Sequence, residues 1–426
     1  MNALALADSQ EQAAARPAVR EAVRVTVLRD FEAIRAEWRA LNDVAQAGTM
    51  FSGPEWLIPW WNHFGQGREL QLLAVREGGQ LVGLLPLFAE QARYGGVEVR
   101  RLAFLGDGAT GCDHLDALAL PGREAEVLSA VLAELLNLEW DLLDLDGIRR
   151  DSPTVIHLAE AWPAHRVTNH CVRDGKLRFV CPHLPLKGTY EELLEGMGRR
   201  ENLRRREKWL SRQPGVSIDL AQTPADAPAA MERFFPLHDA RWAAAGGSDG
   251  LADERYKPFH REVAGTLAES GKFKLYTLYA ARRPVACVYG VQHGSTFNYY
   301  QSGYQPLWAG KSVGLVLLAR TVQDAFAAGL TDFDFLRGNE SYKAQWAKAE
   351  RWTVQLRLWR GARGRAARLA EMGTKGAREA AKAAVPGKLL EGARVLRRGL
   401  GRGLSMRQLA MALSDGGSAQ CEEGGR

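Results

Sequence analysis

A short turn in the second half of the chain carries residue types suited to binding a charged ligand. The turn Lys311–Gly314 lies between a tyrosine-rich strand pattern and a helix pattern at about 312–328. A strand that enters a helix through a glycine-containing turn brings unpaired backbone N–H groups and the positive end of the helix dipole together. This arrangement suits a phosphate or pyrophosphate group. Lys311 adds a positive charge, and Ser312 adds a hydroxyl group.

Three residues in the second half of the chain are candidate bases. Asp334 ends an apolar strand pattern, where burial would raise the pKa of a carboxyl group and make it competent as a base near neutral pH. His238 has a suitable intrinsic pKa, and Glu340 is a third candidate. Two alternatives stay open: a structural ion pair between Asp334 and Arg337, and a purely structural role for His238.

The elements that position these residues occur in an order that is repeated. The first copy has a hairpin at 70–75 and 81–88, a strand at 100–105, a helix that follows Gly122 and ends at about 138, and a strand at 140–146. The second copy has a hairpin at 273–279 and 284–293, a strand at 296–302, a helix at 312–328 and a strand at 331–336. The segment LQLLAVREGGQLVGLLPLF matches FKLYTLYAARRPVACVYGV, and EWDLLDLDG matches LTDFDFLRG. The repeat predicts a structural duplication in an α+β fold with a mixed sheet.

Helix patterns precede the first copy, and a basic tail follows the second. The first helix pattern covers 30–42, with Asp30 as its expected N-cap, and the second opens at Ser52 and Pro54. In the tail, weak helix patterns cover 363–370, 377–384 and 389–400. We expect four regions: a disordered leader at 1–22, a first half at 23–180, a second half at 181–360 and the basic tail at 361–426.

Charge is distributed unevenly along the 426 residues. The chain has a net charge of +6, but residues 361–407 contain twelve Lys or Arg against three Glu, so the rest carries a net −3. A nucleic-acid or anionic-membrane role would therefore depend on the tail, and we expect no specific nucleic-acid partner. The basic block at 199–208 is either a solvated helix or an anion-contacting surface. No apolar run approaches the length of a membrane span.

Metal and nucleotide-hydrolysis motifs do not match the sequence. The five cysteines contain no C-x-x-C pair. The His and Cys residues between 165 and 183 have no zinc spacing, so we expect no metal. The GKSVG turn is not a P-loop, because Gly303 and Gly310 are too far apart for the G-x-x-x-x-G-K pattern.

The stretch 303–346 resembles the signature of GNAT-fold acyltransferases of the CelD-like group, named for cellulose biosynthesis and distantly similar to the FemAB-like peptidoglycan transferases. The family pattern has a tyrosine-bearing strand, an S-x-G turn, a helix and F-D-F-x-R-G-x-x-x-Y-K-x-x-W. The matching residues are Ser312, Gly314, Phe333, Asp334, Phe335, Arg337, Gly338, Tyr342, Lys343 and Trp346. Further matches are FSGPEWLIPWW, an L-H-x-x-R-W element with His238, Arg241 and Trp242, and an S-D-Y-x-D-like element with Asp113 and Asp116. The departures are Val313 in place of proline and His114 in place of tyrosine.

This resemblance implies a tandem GNAT-like architecture with one acyl-CoA site. It implies that a first group binds the pantetheine and pyrophosphate of the donor: Tyr299, Tyr300, Gly303, Lys311, Ser312 and Gly314. It implies that a second group faces the acceptor: Asp113, Asp116, Arg241, Trp242, Arg337 and Lys343. It makes Tyr342 the acid for the departing thiolate, beside Asp334 or His238 as base, with packing as the alternative for Tyr342.

The expected function is therefore direct N- or O-acyl transfer, with acetyl-CoA or another acyl-CoA as donor. The acceptor implied by the resemblance is a polysaccharide precursor or another small-molecule or glycan metabolite of the cell envelope. Two alternatives remain, a FemAB-like transferase that uses aminoacyl-tRNA and a non-catalytic accessory protein of exopolysaccharide synthesis. We expect a cytoplasmic protein whose basic tail could contact an anionic membrane or a protein partner.

Overall fold

The computed structural model describes residues 22–108, 110–161, 171–244, 253–338 and 340–384. They belong to two compact units, the first formed by 1–91 with 100–360 and the second by 92–99 with 361–426. The predicted leader and the predicted helix at 389–400 lie outside the described residues. None of the described helices combines the length and the apolar character that a membrane span requires.

The described strands are β1 Arg24–Leu28, β2 Glu69–Glu77, β3 Gln80–Tyr94, β4 Val97–Phe104, β5 Leu118–Ala119, β6 Leu142–Arg149, β7 Cys171–Pro185, β8 Ser217–Ala221, β9 Phe273–Ala280, β10 Arg283–His293, β11 Thr296–Tyr304, β12 Asp332–Asp334 and β13 Ala349–Arg360. The described helices are α1 Arg35–Val44, α2 Pro54–Phe64, α3 Glu124–Glu134, α4 Pro153–Ala161, α5 Tyr190–Gly196, α6 Arg200–Ser211, α7 Ala227–Ala244, α8 Tyr256–Glu269, α9 Val313–Ala327, α10 Ser341–Trp346 and α11 Gly361–Ala384. A 3₁₀ turn, Pro306–Lys311, precedes α9.

The strands form one mixed sheet with two halves of matching order. The order is β1-β2-β3-β4-β6-β13-β7-β12-β11-β10-β9-β8, and β5 pairs with β3. Each half contains a parallel pair, with Arg101 opposite Leu142 between β4 and β6, and Thr296 opposite Asp332 between β11 and β12. The duplicated α+β architecture predicted from the repeat is confirmed.

The two halves exchange their last strands. β13 comes from the end of the second half but pairs with β6 of the first, while β7 comes from the end of the first half but pairs with β12 of the second. β7 and β13 then pair with each other in the middle of the sheet. Every strand of one half is therefore hydrogen-bonded, directly or through neighbours, to the other half.

Helices cover both faces of the second half of the sheet. Alternate residues of β10 belong to different apolar clusters, with Cys287 and Tyr289 in one and Ala286 and Val288 in the other. The first cluster also contains the buried side of α2, α7 and α8, and the second contains α5, α6 and α9. Because successive side chains of a strand point to opposite faces, the two clusters lie on opposite sides of the sheet.

The aromatic helix α2 joins the first half to α8 of the second. Trp56 is fully buried, with its ring 5.4 Å from that of Phe259, and Thr266 Oγ1 donates a hydrogen bond of 2.7 Å to the carbonyl oxygen of Glu55. Pro54 occupies the first turn, where it leaves no hydrogen bond unmade. The tryptophans of this segment therefore form core rather than a ligand-binding wall.

Two predicted helix boundaries differ from the observed ones. α1 begins at Arg35 with Ile34 at the N-cap, because the Asp30 carboxylate instead accepts a hydrogen bond from the Glu32 N–H in a preceding turn. In the second unit, α11 runs without a break through both 363–370 and 377–384. A glycine inside a helix costs only about 1 kcal/mol, so Gly373 and Gly376 do not end it.

The second unit contains the tip of the β3–β4 hairpin and α11. Gly95 has a φ of 56°, and a Cβ there would lie 2.3 Å from the carbonyl carbon of Ala370. Only glycine satisfies both the left-handed backbone and the close approach to the helix.

Candidate active site

A cleft opens where the parallel strands β11 and β12 separate. The pairing of the two strands ends at Asn298 and Asp334, while β11 continues to Tyr304 against β10 alone. Beyond Asn298, the β11 backbone edge that faces away from β10 has no strand partner among the described residues. Such an edge can form hydrogen bonds with an extended ligand.

One side of the cleft is the N-terminus of α9. A cavity of ≈ 290 Å³, here called the helix-end cavity, is lined by Arg241, Tyr299, Ser302, Tyr304, Ala309, Ser312, Val313, Gly314, Leu315, Leu318, Tyr342, Gln345 and Trp346. Ser312 has a left-handed backbone and does not cap the helix with its side chain. The first-turn N–H groups therefore have no intrahelical acceptor and no side-chain cap. The wall is otherwise largely apolar, so the cavity offers one anion site and an apolar channel.

Cations from α6 and the 3₁₀ turn lie at the rim of the helix-end cavity. Arg206 Nη1 donates a hydrogen bond to Ser312 Oγ, which fixes the hydroxyl beside the helix end. Lys311 Nζ lies 5.0 Å from the centre of the Trp209 ring and does not line the cavity itself. The basic helix pattern at 199–208 thus supplies one cation directly at the turn.

A second, polar cavity lies beside the first. This polar cavity of ≈ 240 Å³ is lined by Thr110, Gly111, Asp113, Arg241, Trp242, Tyr299, Tyr300, Gln301, Ser302, Leu336, Arg337, Glu340, Tyr342 and Lys343. Its first three lining residues come from the first half of the chain, and the others come from the second. Both halves therefore contribute to one site.

The two cavities share four lining residues, here called the junction: Arg241, Tyr299, Ser302 and Tyr342. Arg241 Nη1 donates to the carbonyl oxygen of Ser302 at 3.1 Å and also to Ser302 Oγ. The rings of Tyr299 and Tyr342 are 6.2 Å apart. These shared residues are where a ligand in one cavity can meet a ligand in the other.

At the junction, a guanidinium that stays charged lies beside phenols that stay protonated. Burial raises the pKa of Tyr342 well above its ordinary value. Burial alone would lower the pKa of Arg241, but the phenols of Tyr299 and Tyr342 outweigh it and raise that pKa. At neutral pH, Arg241 is therefore charged and Tyr342 carries a proton that it can donate.

Residues 197–344 match the family model described as "Acetyltransferase (GNAT) domain". This match indicates an acyltransferase domain in the second half of the chain. The matched region contains α9 and all four junction residues.

Two solved structures share the fold of this chain. A structure described as FemX has a TM-score of 0.54 and 10% identity, covering 76% of this chain and 95% of that chain. A conserved protein of unknown function from Bacteroides thetaiotaomicron VPI-5482 has a TM-score of 0.50 and 11% identity, covering 79% and 100%. No curated protein matches the sequence. At these identities, the structural similarities establish the fold of the chain and neither an activity nor a substrate.

Asp113 and Arg337, two predicted acceptor residues, form one wall of the polar cavity. Arg337 Nε lies 2.6 Å from Asp113 Oδ1, and the Arg337 backbone N–H donates to Asp113 Oδ2 at 2.9 Å. Arg337 Nη2 also donates to the carbonyl oxygen of Cys112. Asp113 is completely buried, so this pair fixes the first-half loop against the loop after β12.

Lys343 and Glu340 form a second charged pair at the same cavity. Lys343 Nζ donates to the carbonyl oxygen of Arg337 at 2.6 Å and lies 3.1 Å from Glu340 Oε2. A Cβ on Gly338 would lie 2.2 Å from Glu340 Oε2 and 2.8 Å from Lys343 Nζ. Gly338 therefore makes room for both charged groups.

The pKa of Asp334 differs from the prediction. Its carboxylate is buried, which would raise its pKa, but a hydrogen bond and charge from His114 and the charge of Arg351 lower it to about 2. The contacts are 3.2 Å to His114 Nε2 and 2.9 Å to Arg351 Nη1, and Oδ1 accepts from the Leu336 N–H. The expected rise in the pKa of Asp334 is wrong, and its ion pair is with Arg351, not with Arg337.

Four other predicted site residues are buried in the surrounding protein or bonded to it. His238 lines neither cavity, and burial lowers its pKa to about 4. Gly303 packs against α7, since a Cβ would lie 2.4 Å from the His238 nitrogen. Tyr300 reaches the polar cavity, but its hydroxyl donates to the Thr110 carbonyl at 3.0 Å. Asp116 lines neither cavity, and burial raises its pKa to about 6.

Sequence reasoning missed Ser302, Gln301 and the loop residues Thr110 and Gly111. Ser302 and Gln301 are polar positions in a strand predicted to contact the donor, and that was the available signal. The loop GDGATGCDHLD is rich in glycine and acids, but its position against Arg337 follows from tertiary contacts alone. The described residues contain no group of three or more His, Cys, Asp or Glu that could hold a metal ion.

Proposed function

We propose that the chain is an acyl-CoA-dependent acyltransferase, most simply with acetyl-CoA, that transfers the acyl group directly to a small acceptor. The observation that carries this proposal is the pair of cavities that share the junction residues. One cavity has a helix N-terminus and apolar walls, and the other has polar and charged walls. This division suits a thioester with a phosphate-containing carrier on one side and a polar nucleophile on the other.

The donor is proposed to lie along β11 and to end at α9. Its pyrophosphate would accept hydrogen bonds from the first-turn N–H groups of α9, with Ser312 and Arg206 beside it. Its pantetheine amides would pair with the free edge of β11 near Tyr299. The cleft between β11 and β12 and the uncapped helix end support this placement. Lys311 would interact with the more distant phosphates.

At the junction, Arg241 would polarise the thioester carbonyl and stabilise the negative oxygen of the tetrahedral intermediate. The acceptor forms a bond to the carbonyl carbon, the carbon–sulfur bond breaks, and Tyr342 donates its proton to the thiolate. Glu340 is the proposed base for the acceptor proton, because it lines the polar cavity. Asp334 and His238 would position the strand and the helix that carry these groups.

The acceptor is proposed to be a polysaccharide precursor or another metabolite of the cell envelope. This part rests on the similarity of 303–346 to the CelD-like group, which we retain as a proposal, and both N- and O-acylation are compatible with the polar cavity. Since acyl-CoA is a cytoplasmic metabolite, we place the reaction in the cytoplasm.

The proposal has a direct test in the binding of acetyl-CoA. Gly314 lines the helix-end cavity, and a Cβ there meets nothing within 4 Å, so Gly314→Trp fills the cavity without a clash at Cβ. Calorimetry should detect saturable acetyl-CoA binding by the parent chain and not by this variant. The matched control is Gly265→Trp in α8, where a Cβ also meets nothing, and binding should persist. Equal binding by all three proteins contradicts the donor site.

A second candidate uses aminoacyl-tRNA as the donor. The observation that favours it is the contact between Arg206, in the basic helix α6, and Ser312 at the helix-end cavity. RNA phosphate binding would weaken steeply as salt is raised. Salt-sensitive tRNA binding without acetyl-CoA binding would select this candidate.

A further inference from the structure

The polar cavity has an excess of positive charge. Three cations, Arg241, Arg337 and Lys343, and two carboxylates, Asp113 and Glu340, are among its lining residues. Asp113 is committed to Arg337 through both of its oxygens. Lys343, only 4% exposed, lies 3.1 Å from Glu340 Oε2, which leaves Arg241 as the lining cation that has no carboxylate partner among the lining residues. A buried positive charge without full compensation is costly, so the cavity is complementary to an anion.

Two of the lining cations have unused donors. Lys343 Nζ has three donors and uses one on the Arg337 carbonyl, and it lies 3.1 Å from Glu340 Oε2 without a hydrogen bond to it. Arg337 uses Nε and Nη2, and its Nη1 makes no hydrogen bond to another described residue. Lys343 and Arg337 both line the polar cavity, and both keep an unused donor, so both can bind an anionic group in it.

Glu340 provides the opposite charge next to this position. Its Oε2 lies against Lys343, and its Oε1 makes no hydrogen bond to another described residue. A carboxylate that lines the cavity in this way can accept a hydrogen bond from an amine. The 3.1 Å between Lys343 Nζ and Glu340 Oε2 means that the two groups bound by this pair must also be close neighbours in the ligand.

We infer that the acceptor is a small amine with an anionic group, a carboxylate or a phosphate, close to the amine. This inference rests on the proposed function, because it assigns the polar cavity to the acceptor. Lys343 and Arg337 bind the anionic group, and Glu340 binds the amine. The volume of ≈ 240 Å³ matches an amino acid or a single amino sugar rather than a polymer.

The test uses the full chain, acetyl-CoA and matched pairs of amines, with CoA release as the readout. One pair is glucosamine 6-phosphate and glucosamine, and the other is an α-amino acid panel and the corresponding amides. The charged member should have a kcat/KM about tenfold or more above its neutral partner. The pair in which this occurs distinguishes phosphate from carboxylate.

Two cavity variants and one control variant link the preference to the cavity. Lys343→Met should remove most of the preference, and the exposed Lys348→Met should preserve it. Glu340→Gln should lower kcat/KM for both members of a pair without changing their ratio. Because each ratio is measured within one protein, loss of folded material cancels.

The outcomes separate this inference from the proposed donor. A preference for neutral amines, a ratio unchanged in Lys343→Met, or CoA release with no anionic amine overturns the inference when acetyl-CoA still binds saturably. Absence of acetyl-CoA binding overturns the proposed function instead, and the acceptor assignment fails with it.

Discussion

The guanidinium carbon of Arg241 lies 5.6 Å from the centre of the Tyr342 ring, and both side chains line both cavities. One residue is a fixed cation, and the other is a phenol that keeps its proton. Their proximity places a group that can stabilise negative oxygen beside a group that can protonate sulfur.

Arg241→Met should lower kcat by about a hundredfold, because removing a single oxyanion-stabilising donor typically has an effect of that size. The KM for acetyl-CoA should change much less, since the α9 N-terminus is intact. Steady-state kinetics measure both values, and Arg283→Met at the exposed start of β10 is the control. A change confined to KM would assign Arg241 to binding.

Tyr342→Phe should lower kcat by about 10²-fold or more, since a positioned acid contributes that much. Tyr304→Phe is the matched control, because Tyr304 lines the helix-end cavity but not the junction. If both variants lose activity equally, Tyr342 has a packing role.

The pH dependence tests the same proton. The pKa of Tyr342 is raised well above its ordinary value, so the phenol stays protonated as pH rises from 7 to about 9. The kcat with saturating substrates should therefore not fall across this range. A decline in the wild type that is absent in Tyr342→Phe would mean that the phenol ionises there.

Asp334→Asn should destabilise the fold rather than remove the chemistry. The pKa of Asp334 is about 2 in the folded chain and about 3.9 when unfolded, so its ionised form contributes roughly 3 kcal/mol. This contribution is fully present above about pH 4 and is lost as pH falls towards 2. The difference in unfolding free energy between wild type and variant should shrink in that window, as measured by urea unfolding.

A suitable control for that experiment is Asp219→Asn on the exposed strand β8, which should show a small difference at every pH. Loss of turnover in Asp334→Asn without loss of stability would restore Asp334 as a catalytic base.

Gly303→Ala should lower the free energy of unfolding by about 1–3 kcal/mol, because its Cβ would lie 2.4 Å from the backbone of α7. Gly265→Ala should be neutral or stabilising, since that Cβ meets nothing and alanine favours a helix. Chemical denaturation measures both changes. An unchanged stability in Gly303→Ala would mean that α7 moves away from β11 easily.

Local patterns predicted much of the fold. The two hairpins, the helix α9 and the strands around it are determined by alternation, turn residues and helical spacing, so the duplication could be recognised from the sequence. The exchange of β7 and β13 could not, because it depends on pairing between residues far apart in the chain. Helix α8 has no strong end signals, and its position against Trp56 appears only in the packed core.

The site could likewise be predicted where it depends on local sequence, and not where it depends on contacts between distant segments. The α9 N-terminus and the loop after β12 are local features, and both line the cavities. The low pKa of Asp334 depends on His114 and Arg351, which come from distant segments. Ser302 orients Arg241 across two different elements, so its role could not be deduced from spacing.

The exchanged strands also set the order of events during synthesis. The edge of β6 is completed only by β13, which leaves the ribosome about two hundred residues later. Until then, a nascent first half has an unsatisfied row of amides and carbonyls and is open to pairing with another growing chain. We therefore expect the two halves to close together, after translation of residue 360, and a fragment ending before Ala349 to be retained by chaperones.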